Sequence, residues 1–161
     1  MKDNIQPPKR PRDSYTEHIQ ILNQSSMNGY NRLFGGQLME WIDIVAAIVA
    51  RRHSGYNVTT ASIDNLRFHA PAHANDTVLL AGKITFAGRT SMEVCVNTYV
   101  ESLGGIRKLI NTAYVVMVAL DEKERPVAVP ELIVETPEEQ EMWESAKKRR
   151  DFRILRRKEC F

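Results

Sequence analysis

The chain has 161 residues, of which 43% are apolar and 26% charged, a balance that suits one folded domain with its own core and excludes a wholly disordered chain. Its net charge of +2 is too small to imply a nucleic-acid partner by itself. Cys95 and Cys160 are its two cysteines, which excludes a disulfide framework and fits a reducing compartment.

Residues 1–13 are rich in Pro, Lys and Arg and read as a flexible or extended leader. No signal-peptide apolar region opens the chain. The longest apolar run, Trp41 to Ala50, is interrupted by Asp43 and is too short to span a membrane. The expected location is therefore the cytoplasm, with no membrane partner.

A first strand is expected within residues 14–23, although Tyr15, Ile19, Ile21 and Leu22 alternate poorly. Asn28 to Gly36 follows as a loop with turn formers at both ends. From Gln37 to Arg52 the period becomes helical, and Leu38, Ile42, Val45 and Val49 belong to a helix apolar on nearly all sides. Arg51 and Arg52 suit its C-terminal dipole, and Gly55 is a natural stop.

After that helix the period is two. Val58, Thr60, Ser62, Asp64, Leu66 and Phe68 fall on one face of a strand over 58–68. Further strands are expected over 77–86, 90–100 and 108–120, where Tyr114, Val116 and Val118 share a face. Pro71, Asn75-Asp76, Ala87-Gly88-Arg89 and Gly104-Gly105 separate them at hairpin-like spacings, which predicts an antiparallel meander. Thr136, Pro137 and Glu139 form a capping box for a last helix, acidic at its start and basic from Lys147 to Lys158.

The expected class is α+β: a sheet wrapped around one hydrophobic helix, the hotdog arrangement, with an extra C-terminal helix. An ordinary α+β sandwich uses the same elements. The expected organisation is a leader (1–13), a core domain (14–133) and a helical extension (134–161).

Asp43 is the odd residue of the apolar helix. A buried carboxylate without a partner costs several kcal/mol, so it is either paired or kept for function. Glu40 lies three residues earlier, roughly 60° around the wheel, as an alternative acid or a partner to Asp43. Gly35-Gly36 at the helix start allow close approach to unpaired N–H groups, the makings of an oxyanion hole. Asn28, in the preceding loop, has an amide able to donate to a carbonyl or hold a water. The histidines lack metal-type spacing, and no phosphate loop, dinucleotide fingerprint or serine nucleophile elbow occurs.

Taken together, Asn28, Gly35-Gly36 and the helix acid Asp43 resemble the hotdog acyl-CoA hydrolase (thioesterase) family, the bacterial relatives of brain acyl-CoA hydrolase. The likeness continues in Thr60-Ala61-Ser62-Ile63-Asp64, Phe68, Pro71, Gly88 to Val94, Ala113 to Asp121 and Val129-Pro130, over roughly residues 14–133. The resemblance implies hydrolysis of acyl-CoA to free fatty acid and CoA. Asp43 and Asn28 would meet across a dimer interface, and Gly35, or Gly36, would be the oxyanion donor. It also implies CoA contacts at Arg89, Thr90 and Ser91, no metal or other cofactor besides the CoA of the substrate, and self-association as a dimer within a hexameric trimer of dimers. Asn31 and Asn75 stand where the family usually has glycine, and asparagine tolerates positive φ. Two other activities are weighed: a non-catalytic acyl-CoA sensor on the same fold, and an enoyl-CoA hydratase, which would need a histidine near Asp43. No nucleic acid is expected.

Overall fold

The computed structural model describes residues 6–160. Its elements are α1 (Pro11–Ser14), β1 (Thr16–Ile21), a 3-10 turn (Gln24–Ser26), α2 (Gly35–Ser54), β2 (Asn57–Phe68), β3 (Thr77–Ala87), β4 (Ser91–Glu101), β5 (Arg107–Leu120) and α3 (Pro137–Glu159). All five strands form one antiparallel sheet in the order β1-β3-β4-β5-β2. Helix α2 covers one face and α3 part of the other. The sheet around a central helix is the hotdog arrangement. None of the described helices is long and apolar enough to cross a membrane.

Helix α2 forms where its periodicity places it. Ile42, Val45, Ala46, Val49 and Ala50 are almost fully buried and share one core with Leu80, Val94, Val96 and Val115 of the sheet. Burying each large aliphatic side chain contributes about 1.5–3 kcal/mol. The helix stops at Gly55, whose left-handed φ of +72° glycine adopts without strain. Gly82 lets the helix lie close on β3. A Cβ there would sit 2.7 Å from Val45 Cγ1 and 2.9 Å from Val49 Cγ2.

Three expectations need correction. The meander holds only for β3-β4-β5. Strand β2 crosses over through residues 69–76 to the far edge beside β5, and β1 pairs with β3. Pairing is a long-range choice, which local spacing does not encode. The single face of 58–68 is also split. The register of β2 shifts between Thr60 and Ser62, and again after Asp64, where Asn65 takes a φ of +51°. Thr60 consequently turns to α2 and Asp64 to α3. The leader, finally, is tied down over 6–13. Lys9 N–H donates to Glu131 O and Ile133 N–H to Lys9 O, while Lys9 Nζ caps Arg52 O and His53 O at the end of α2. The first five residues of that leader lie outside the described part.

The face of β5 that carries Tyr114, Val116 and Val118 looks toward α3, whereas Ala113, Val115, Met117 and Ala119 face α2. Both faces of β5 are covered, so each alternating set has a layer to pack against. The capping box of α3 forms as read: Glu139 N–H donates to Thr136 Oγ1 at 3.1 Å, and Thr136 N–H to Glu139 Oε2 at 3.2 Å. Its basic end is not simply solvated. Arg149 forks onto the buried Glu93, Arg153 bridges Glu93 and Asp64, and Arg156 reaches Asp64.

Candidate active site

The loop before α2 is built around Asn28. Its Oδ1 accepts from Tyr30 N–H at 2.9 Å and Arg32 N–H at 3.2 Å, closing an Asx-type turn. The turn needs a left-handed residue, and Asn31 supplies it with a φ of +54°. Leu33 and Phe34 N–H then donate to Ala72 O and Ser26 O, which aims the chain into α2. With its carbonyl turned to the loop, Asn28 keeps its amide N–H groups for another partner.

Gly35 and Gly36 open α2, where first-turn N–H groups have no helical acceptor. The two glycines differ. A Cβ on Gly36 would lie 2.5 Å from the Phe34 ring, so a side chain there would have to displace that half-exposed ring. A Cβ on Gly35 would meet only Phe68, at 3.6 Å. Nothing among the described residues demands a bare backbone at Gly35.

Asp43 lies two turns further on, half-buried on the outer side of α2. Its Oδ1 accepts from Thr60 Oγ1 at 2.5 Å, and it forms no ion pair among the described residues. Glu40 is exposed and accepts from Gln37 Nε2 at 2.8 Å, so it is not the partner of Asp43. The sequence reading assigns Thr60 no place in the site. Its signal lies in the motif beginning at Thr60 and on the face of β2 that meets α2. Phe34, Ile44 and Phe68, around this site, are each about half exposed.

Within one chain Asn28 and Asp43 do not touch each other: Asn28 is bonded in its loop and Asp43 to β2. Arg89, Thr90 and Ser91 form the β3–β4 turn, held by Gly88 N–H to Ser91 O, Ala119 N–H to Thr90 O and Val129 N–H to Arg89 O. The structure divides the three. Arg89 lines a cavity of about 450 Å³ with Gly88, Tyr56 and Val127 to Glu131. Thr90 and Ser91 line another, of about 340 Å³, opposite Arg150, Arg153 and Arg157 of α3. Cys95 is no nucleophile, because burial pushes its thiol up to about 11.

A five-stranded antiparallel sheet around a central helix, with an acid on that helix and glycines at its start, defines a hotdog domain of the thioesterase class. Residues 30–105 match the family model of the Thioesterase superfamily. The uncharacterized acyl-CoA thioester hydrolase YkhA of Bacillus subtilis is 43% identical over 113 residues, 70% of this chain and 66% of that protein. An acyl-CoA hydrolase from Staphylococcus aureus, solved with butyryl coenzyme A, coenzyme A and coenzyme A disulfide, is 32% identical with a TM-score of 0.90, over 96% of this chain and 94% of that one. An apo-hexameric acyl-CoA thioesterase is 34% identical with a TM-score of 0.89, over 93% and 97% of the two chains. The chain belongs to the acyl-CoA hydrolases of the Thioesterase superfamily. It spans 66% of the length of YkhA, and 41% of the human cytosolic acyl coenzyme A thioester hydrolase that it also matches. Structures of the Staphylococcus aureus enzyme with Asp43, Asn28 or Thr60 replaced by alanine are similar too, with TM-scores of 0.91, 0.91 and 0.90.

Proposed function

We propose that the chain is an acyl-CoA thioesterase, hydrolysing the thioester to free fatty acid and CoA. The observation that carries this reading is Asp43 itself. It is a half-buried carboxylate on an apolar helix with a hydroxyl partner and no cation among the described residues. A structural carboxylate in such a place is ordinarily paired. The three positions replaced in the Staphylococcus aureus enzyme bear the same residue types and numbers in this chain, and two of them are Asp43 and its partner Thr60.

In the proposed reaction the acyl carbonyl oxygen accepts from Gly35 N–H at the positive end of α2. Gly36, beside the Phe34 ring, is the neighbouring donor. Asp43 takes a proton from a water that Asn28 orients, and the water oxygen bonds to the carbonyl carbon. Collapse of the tetrahedral intermediate breaks the C–S bond and reforms the carbonyl. CoA leaves as a thiolate and gains its proton from Asp43 or solvent. Neither a metal nor a redox cofactor is required. Thr60 donates to Asp43 and holds the carboxylate toward the water.

Asn28 and Asp43 act together across a dimer interface in this proposal. Its support is that Asn28 is bonded within its own loop and Asp43 to Thr60 of β2, while Phe34, Ile44 and Phe68 leave an apolar surface around Asp43 uncovered. A trimer of dimers is the proposed assembly, since a structural neighbour is hexameric. Arg89 contacts CoA at the β3–β4 turn. The free thiols of Cys95 and Cys160 favour the cytoplasm.

The test is release of thiol from a panel of acyl-CoAs, followed with a thiol-reactive dye. Asp43→Ala should lose at least about a hundredfold in kcat while melting like the native protein. Full turnover by that variant would reject Asp43 as the base. Tight acyl-CoA binding by the native chain without thiol release would leave a sensor instead of an enzyme.

A further inference from the structure

The start of helix α2 is flanked by two aromatic rings. Phe34, its N-cap residue, puts no side-chain acceptor on the first N–H groups. The first helical bond runs from Leu38 N–H to Phe34 O at 3.1 Å, so the N–H groups of Gly35 and Gly36 lie ahead of it. The Phe34 ring rests beside Gly36, where a Cβ would come within 2.5 Å of its Cε1 and 2.9 Å of its Cζ. The Phe68 ring, at the end of β2, stands beside Gly35, with its Cζ 3.6 Å from the position of a Cβ there. Each glycine thus has its own ring, and both rings are half exposed.

Both rings are carried on backbone that is tied down. Phe34 N–H donates to Ser26 O at 2.9 Å. On one side of Phe68, Arg67 O accepts from Nδ2 of the fully buried Asn111 at 2.8 Å, and on the other His69 N–H donates to Ile110 O at 2.8 Å. In the proposed reaction the acyl carbonyl oxygen meets Gly35 N–H, so the first carbons of the acyl chain pass beside these rings. A thioester is flat about its carbonyl carbon, and an unbranched chain continues from it as a thin zigzag. A methyl on the carbon next to the carbonyl stands out of that plane and competes for the space that a ring holds.

We infer that Phe34 and Phe68 are specificity-determining residues, which admit straight-chain acyl groups and exclude those branched next to the carbonyl. Their role rests on the thioesterase reading and names its substrate class, the thioesters of unbranched fatty acids.

Thiol release is measured with three acyl-CoAs: the straight-chain one cleaved fastest, its derivative with a methyl next to the carbonyl, and the isomer of that derivative with the methyl at the far end of the chain. The native protein should favour the straight chain over the first branched thioester about tenfold or more in kcat/KM, and over the second far less. Phe68→Leu and Phe34→Leu remove the ring but keep an apolar side chain, and each should narrow the first preference about tenfold. Phe68→Tyr keeps the ring and should keep the native preference. Each preference is a ratio within one sample, so a misfolded fraction, which lowers both rates alike, leaves it unchanged.

Leucine variants that both keep the native preference overturn the inference. So does a narrowing that is as large for the methyl at the far end, because the rings would then limit overall size and not branching at the carbonyl. Cleavage of the straight and the near-branched thioester alike by the native chain rejects the inference alone and leaves the thioesterase reading standing. No thiol release from any acyl-CoA by the native chain rejects that reading, and the inference with it.

Discussion

Thr60 on β2 donates its hydroxyl to Asp43 on α2 over 2.5 Å, across 17 positions of sequence. This bond ties the one carboxylate of the apolar helix segment from Trp41 to Ala50 to the sheet that wraps it. A register shift between Thr60 and Ser62 gives Thr60 that direction and lets Asp64, four residues on, turn to α3 instead. The same strand thus serves the proposed site on one face and the anchorage of α3 on the other.

Thr60→Val keeps the β-branched shape and removes the donor. A hydrogen bond to a charged group is worth about 1.5–3 kcal/mol, so kcat should fall about ten- to a hundredfold with little change in melting temperature. Steady-state thiol release and a thermal melt check both halves. An unchanged kcat would show that Asp43 needs no such orientation.

Asn28 has two duties that one substitution separates. Asn28→Asp retains an acceptor for Tyr30 and Arg32 N–H, so the loop should persist, but it removes the amide donor. It should lose about tenfold or more in kcat at nearly native stability. Asn28→Ala loses the turn bonds as well and should be less stable by about 1 kcal/mol. Equal activity of the aspartate variant and the native chain would assign Asn28 to the turn alone.

Glu93 is a fully buried carboxylate held by Arg149, Arg153 and Thr85. Glu93→Ala leaves two guanidinium groups without that partner and should cost about 3–5 kcal/mol in denaturant unfolding. Replacing Glu93 and Arg149 together by leucine should cost less than Glu93→Ala, because no charge of that pair remains buried. A loss below about 1 kcal/mol for Glu93→Ala would mean that the pair is screened as at a surface.

His53 gives the fold a pH dependence of known sign. Burial lowers its pKa below the ordinary value, and the bond to Pro130 O at 2.9 Å opposes that shift only in part. A carbonyl only accepts, so Nε2 carries the proton. The unfolded chain then binds a proton that the folded chain refuses. His53 should not weaken the fold above the unfolded value, about 6.5. Its penalty grows as pH falls from there toward the lower folded value, at no more than about 1.4 kcal/mol per pH unit. His53→Gln, which keeps a donor for Pro130 O, should flatten the acid side of the stability profile. An identical profile in that variant would place the acid sensitivity elsewhere.

Much of the architecture is legible in the sequence because it is local. The apolar period of Leu38, Ile42, Val45 and Val49, the stop at Gly55 and the capping box of Thr136 and Glu139 each concern residues within a few turns of one another, where rise and rotation decide who faces whom. Asp43 is legible for the same reason, as a charge out of place in that period. Strand order is not, because pairing β2 with β5 and β1 with β3 depends on which layers can be covered together.

The sequence by itself determined the elements, the helix that forms the core and the candidate acid on it. Tertiary structure alone decided the rest: Thr60 against Asp43, Glu93 beneath Arg149 across 56 positions, and the division of Arg89 from Thr90 and Ser91 between two cavities. The physical reason is that each of these relationships is made with an element distant in sequence, and in β2 two register shifts also decide which face a side chain occupies, so the partners of a strand are set only once the strands are laid side by side.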